Sequence, residues 1–140
     1  MLPIKNQKSV DAYAGSAAKP YGWELVLDLH DCNPERFNRA DFRKFFKELC
    51  RKLDMKRCQL YFWDDVGVAP EKCETAPHLK GTSAVQFIST SSVVIHSLDL
   101  LRAVYLNIFS CKPYDRAAAE EYCRFFFEAK AGTARFMERI

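Results

Sequence analysis

Three short apolar runs follow one another closely: "SAVQFIS" at residues 83–89, "SVVIHS" at 92–97 and "AVYLNIFS" at 103–110. Only "TS" and "LDLLR" divide them. All three are rich in β-branched and aromatic residues, the types that fit a pleated, half-buried surface. Dividers this short leave no room for a crossover helix, so neighbouring runs pair antiparallel. Around them the hydrophobic period changes. "GWELVLDLH" at 22–30 reads as a first strand, and "RCQLYFWDD" at 57–65 as a second. From 39 to 53, Phe42, Phe45, Phe46, Leu49 and Leu53 recur at helical spacing, with Arg43, Lys44, Lys47, Glu48 and Arg51 on the other face. A second helix is expected over about 115–130, capped by Asp115, with Ala118, Tyr122, Phe125, Phe126 and Ala129 on one side. "GTARFMER" closes as a strand. The order strand, helix, several strands, helix, strand specifies an α+β two-layer sandwich, an antiparallel sheet with two helices packed on one face.

At 140 residues one domain is expected, over 21–140, preceded by a flexible N-terminal arm at 1–20. The net charge of +3 comes from scattered lysines and arginines, which argues against nucleic acid as a partner. No run reaches the ~18–20 apolar residues of a membrane span, and the first twenty residues lack the apolar stretch of a secretory signal. The expected setting is therefore cytoplasmic. Cys32, Cys50, Cys58, Cys73, Cys111 and Cys123 show no paired spacing, so no metal is expected. Most should be buried small hydrophobes, with Cys111 the exception. The loop at 66–81, "VGVAPEKCETAPHLKG", is long enough to be a functional candidate.

The stretch "FISTSSVVIHS" at 87–97 sets four hydroxyl residues, Ser89 to Ser92, between two strands, with His96 following. A bend there would strain the backbone. A serine hydroxyl at such a bend can attack the preceding carbonyl if a general acid or base stands nearby. Taken alone, His96 is more often a satisfied strand residue.

The frame "GTSAVQFISTSSVVIHS…AVYLNIFSC" nevertheless resembles the small prokaryotic, pyruvoyl-dependent S-adenosylmethionine decarboxylases. The likeness rests on Gly81, Ser83, Ser91, His96 and Cys111. Ser91 comes eight residues after Ser83, His96 five after Ser91, and Cys111 twenty after Ser91. "GWELVLDLHDCNPERF" fits the start of the family's domain, so the likeness runs from Gly22 to the C-terminus. It implies a self-processing decarboxylase of S-adenosylmethionine or a related amino acid, serving polyamine (spermidine) biosynthesis. Ser91 would attack the carbonyl of Thr90, assisted by Ser83 and His96. The chain would split into 1–90 and 91–140 and leave a pyruvoyl cofactor where Ser91 stood. That ketone would form a Schiff base with the substrate amine, and Cys111 would return a proton after carbon dioxide leaves. The resemblance also implies a homodimer with active sites at the subunit interface, and an amino-acid-type small molecule as substrate.

Some residues depart from the family pattern. Thr90-Ser91-Ser92 stands where the family has Glu-Ser-His. Leu98 and Leu100 stand at the family's nucleoside-holding aromatic and carboxylate, His78 is the nearest candidate for a second missing aromatic, and Glu24 replaces a usual histidine. Leucine cannot hold ribose hydroxyls. These departures fit a copy redirected to ornithine or arginine. The alternative is a non-catalytic, unprocessed homologue acting as a regulatory or binding protein.

Overall fold

The structure, a computed structural model, describes residues 19–140. Most of the expected N-terminal arm lies outside the described residues. Six strands form one antiparallel sheet: β1 (Gly22–His30), β2 (Arg57–Trp63), β3 (Gly81–Ile88), β4 (Ser91–Leu98), β5 (Ala103–Ser110) and β6 (Ala131–Arg139). Their order across the sheet is β2-β3-β4-β5-β1-β6. The two helices, α1 (Arg39–Lys52) and α2 (Arg116–Phe127), cover one face. This is the two-layer α+β sandwich expected from the order of patterns.

Each helix begins at a polar cap. The Asn38 side chain accepts from the Asp41 N–H at 2.8 Å, and that of Asp115 from the Ala118 N–H at 3.0 Å, each satisfying an orphan donor. On α1 the spacing is realised as expected, with Phe42, Phe45, Phe46 and Leu49 fully buried against the sheet. On α2 the buried stripe is Ala119, Cys123 and Phe127, not the face centred on Phe125, which is 76% exposed. Ala119 and Cys123 are fully buried one turn apart, and the Phe127 ring packs against those of Phe37, Phe42 and Phe45. Tyr122 and Phe126 flank this stripe half-buried, their rings 5.6 and 5.2 Å from that of Phe45. The cysteine expectation holds in part: Cys32, Cys50 and Cys123 are buried, whereas Cys58 is exposed on the edge strand β2 and Cys73 is half-buried in the loop before β3.

The helices leave the other face of the sheet open. Alternation along β4 buries Ser91, Val93, Ile95 and Ser97 beneath the helices, and turns Ser92, Val94, His96 and Leu98 to the open side. The same rule puts Ser83 on the open side of β3, and Tyr61 and Trp63 on that of β2.

The rotated face of α2 is directly testable. Phe127→Ala should cost about 3–5 kcal/mol of stability, whereas Phe125→Ala should stay within about 0.5 kcal/mol. Urea unfolding of the two variants measures both, and equal losses would contradict this helix orientation.

Candidate active site

The β3–β4 register pairs Ile88 with Ser91, leaving Ser89 and Thr90 as a two-residue connection. Thr90 sits there at φ +52°, in the left-handed region. A β-branched side chain is disfavoured in that region, at a cost of order 1–3 kcal/mol. The strained residue is thus the one whose carbonyl precedes Ser91. Its hydroxyl steadies the bend by donating to the Ser89 carbonyl at 2.8 Å.

The end of β5 comes up beside this bend. The Cys111 N–H donates to Ser91 Oγ at 2.9 Å, and Cys111 Sγ lies 3.1 Å from Thr90 Oγ1 and 3.7 Å from the Ser89 carbonyl oxygen. Hydrogen bonds from the Thr90 and Ser91 hydroxyls hold the Cys111 thiol below its ordinary pKa, outweighing a small opposing effect of desolvation. By contrast, burial pushes the thiols of Cys32 and Cys50 up to about 11. Ser91 and Cys111 line a cleft of about 240 Å³ whose walls include Asp54, Met55, Lys56, Ile88 and Lys112. Lys112 Nζ is tied to the Asp54 carboxylate at 2.9 Å and to its carbonyl at 2.6 Å.

Ser83 and His96 form a second cluster. They are direct cross-strand partners, and Ser83 Oγ meets His96 Nδ1 at 2.7 Å. Their pair lies five ladder positions from the Ile88–Ser91 pair, about 17 Å along the strands. It also lies on the open face, whereas the Ser91 side chain points beneath the helices. Within one chain, then, Ser91, Thr90 and Cys111 meet, Ser83 and His96 meet, and the two groups do not. The open-face neighbour of Ser83 on β2 is Trp63, 83% exposed, and that of His96 on β5 is Tyr105, 39% exposed. Neither aromatic stands out in the sequence, because only the sheet register brings them beside the pair.

Leu98, Leu100 and His78 lie at the Ser83–His96 end of the hairpin. Leu98 pairs with Gly81, Leu100 is 57% exposed in the β4–β5 connection, and His78 is exposed in the loop before β3. A second cleft of about 470 Å³ opens at this end between the start of α1 and the start of β3. Its wall contains Asp99, whose pKa is raised by burial, and a bidentate Arg39–Asp64 pair with both contacts at 2.7 Å. Among the described residues no group of three or more His, Cys, Asp or Glu side chains is gathered as a metal would need. No helix among them is long and apolar enough to cross a membrane.

Fold and site together describe an open-faced α+β sandwich with a strained serine hairpin. The chain matches the S-adenosylmethionine decarboxylase family over residues 23–140, and it belongs to that family of decarboxylating lyases. Among solved structures it is similar to the crystal structure of the adenosylmethionine decarboxylase from Aquifex aeolicus VF5. The TM-score is 0.69 and the identity 16%, over 87% of this chain and 92% of the other. At that identity the likeness speaks for the fold. No curated protein matches the chain.

Gly81 is the one glycine whose missing side chain the site requires. A Cβ there would lie 1.7 Å from the Ser97 carbonyl oxygen, a backbone atom that cannot yield without parting β3 from β4. Gly81→Ala should therefore lower stability by about 1–3 kcal/mol, read from urea unfolding. It should also disturb the Ser83–His96 pair two residues on, read as a shifted His96 ring resonance in NMR. An unchanged midpoint would show that the ladder adjusts freely here.

Proposed function

We propose that the chain is a self-processing, pyruvoyl-dependent decarboxylase of S-adenosylmethionine or a related amino acid, cutting itself between Thr90 and Ser91. The observation that carries this reading is the hairpin end. A serine hydroxyl follows a strained residue and accepts a backbone N–H, with a thiol whose pKa is lowered beside the same peptide bond. Strain at Thr90 weakens the ground state of the bond to be broken, while the Cys111 N–H favours charge developing on Ser91 Oγ. The pyruvoyl group supplies an electron sink for the loss of carbon dioxide. Cys111 then hands a proton to the carbon that has lost its carboxylate.

The reading includes a homodimer. Its support is the separation of the two clusters: Ser83 and His96 of one copy would complete the site around Ser91 of another. The open face also carries Tyr61, Trp63, Phe87, Tyr105 and Met137, all between 39% and 83% exposed, as apolar material for a second copy to cover. The substrate is taken to be small and amine-bearing, within polyamine biosynthesis. His78, Leu98 and Leu100 stand at its distal end, because they lie at the Ser83–His96 end of the hairpin. The six free cysteines suit a reducing, cytoplasmic setting.

Intact mass after purification tests the central step. Two pieces are expected, 1–90 and 91–140, the second blocked to Edman chemistry. Ser91→Ala should stay whole. Cys111→Ala should still cut but lose at least a hundredfold in carbon dioxide release from whichever of S-adenosylmethionine, ornithine or arginine the wild type accepts. A wild-type chain that remains whole with an ordinary Ser91 would sink the proposal.

Shared sites predict complementation. A His96→Ala chain should cut poorly alone and regain cleavage when co-expressed with a Ser91→Ala chain, which brings an intact His96. If the mixture cuts no better than His96→Ala alone, the two clusters do not meet across copies.

A further inference from the structure

Thr90 stands at a position where the family has glutamate, and its hydroxyl lies 3.1 Å from Cys111 Sγ. We propose that Thr90 is a positioning residue for Cys111: in the whole chain it holds the sulfur against the scissile peptide as a ready hydrogen-bond acceptor, and self-cleavage releases that sulfur as a protonated thiol, the form a proton donor needs. This rests on the reading of Ser91 as the self-cleaving serine and adds a role for the residue on the other side of the bond.

The atoms of the cleavage carry the argument. Ser91 Oγ attacks the Thr90 carbonyl carbon, the carbon–nitrogen bond breaks, and the hydroxyl proton ends on the freed amine, giving an ester. Loss of the Ser91 α-proton then breaks the bond between Cβ and Oγ. Oγ therefore departs as one of the two oxygens of a new carboxylate on Thr90. The amine-bearing double bond left behind takes up one water and releases ammonia, becoming the ketone.

Before this sequence the Thr90 hydroxyl faces the sulfur at 3.1 Å, and the Thr90 and Ser91 hydroxyls both favour the thiolate. A hydroxyl turns its single proton to suit its partner. Thr90 can therefore give that proton to the Ser89 carbonyl when Cys111 is a thiol, and to the sulfur when it is a thiolate. Afterwards the Ser91 hydroxyl no longer exists. Thr90 has become a chain end, freed from the peptide link that pins it at φ +52° and bearing a negative charge. Each change favours the neutral thiol. Within one chain the other charged groups lining the cleft are Asp54 and Lys56, from the segment after α1, and Lys112 beside Cys111 itself, and in the proposed dimer His96 of the second copy joins them before and after cleavage alike. Cleavage leaves all three in place, and Asp54 and Lys112 are paired with each other at 2.9 Å.

The test reads the thiol without relying on turnover. Iodoacetamide labelling of Cys111, located by peptide mass, is followed against pH in Ser91→Ala, which stays whole. It is then repeated in the same chain carrying Thr90→Val or Thr90→Ser. Only the thiolate reacts, so the rate rises with pH through the thiol's pKa. The midpoint in Ser91→Ala should lie below the ~8.5 of a free thiol. Thr90→Val should move it up and Thr90→Ser should keep it, and each unit of upward shift lowers the rate at pH 7 about tenfold. Cleaved wild type should show a higher midpoint than whole Ser91→Ala. An unmoved midpoint in Thr90→Val, with wild-type cleavage intact, overturns this inference alone. A wild type that never cuts overturns the release step together with the proposed function, while the Thr90→Val comparison still decides whether Thr90 positions the sulfur.

Discussion

The register of the β3–β4 hairpin is the constraint on which the site depends. Pairing Ile88 with Ser91 decides that Ser91 points beneath the helices, that His96 points to the open face, and that His96 meets Ser83. A slip of β4 by one residue would exchange the faces of Ser91 and His96 and bury an imidazole in the core. The register is held by a two-residue bend that costs strain at Thr90. It is held as well by Gly81, where the strands approach too closely for any side chain. Ser97, buried on the same ladder, adds a bond from its hydroxyl to the Thr82 carbonyl at 2.9 Å.

Strain of that kind persists only over a rigid support. The support is the aromatic layer between helices and sheet, where the ring of Phe45 lies within about 5.0–5.6 Å of Phe46, Tyr122, Phe126 and Phe127. These rings fasten both helices to one side, and so the other side of the sheet stays bare. The division of the machinery follows from this asymmetry. Ser91 and Cys111 reach the helix side at one end of the hairpin, while Ser83 and His96 stand on the bare side near the other. In the proposed homodimer a second copy brings these unlike faces and opposite ends together.

Much of this was legible in the sequence, for reasons that differ by element. The sheet and α1 announced themselves through unbroken periods of two and of three to four. The buried side of α2 did not, because Ala119 and Cys123 are small and carry little hydrophobic signal beside the conspicuous Phe125. The resemblance to the decarboxylase family singled out Ser83, Ser91, His96 and Cys111 as a set, and the intervals that carry it say nothing about faces. That Ser83 and His96 lie about 17 Å from Ser91 follows only from the register. The proximity of Thr90 to Cys111 was equally hidden, since it depends on where β5 ends relative to a bend twenty-one residues earlier.

The same geometry accounts for which positions could change. Ser83, Ser91 and His96 belong to the β3–β4 ladder, and Cys111 follows directly on β5 with its own N–H committed to Ser91. Replacing Ser91 or Cys111 disturbs the bond at the bend, and replacing Ser83 or His96 breaks their cross-strand bond on the open face. His78 and Leu100 are exposed in connections, and Leu98 is the last residue of its strand. Substitution there costs little stability, so on the proposed function a change of substrate would accumulate at that end while the proposed cutting end stayed fixed. Thr90 lies between these cases. It is exposed in a turn, yet its hydroxyl touches both the Ser89 carbonyl and the sulfur. In the proposed scheme its hydroxyl is a donor beside the sulfur that favours the thiolate before cleavage.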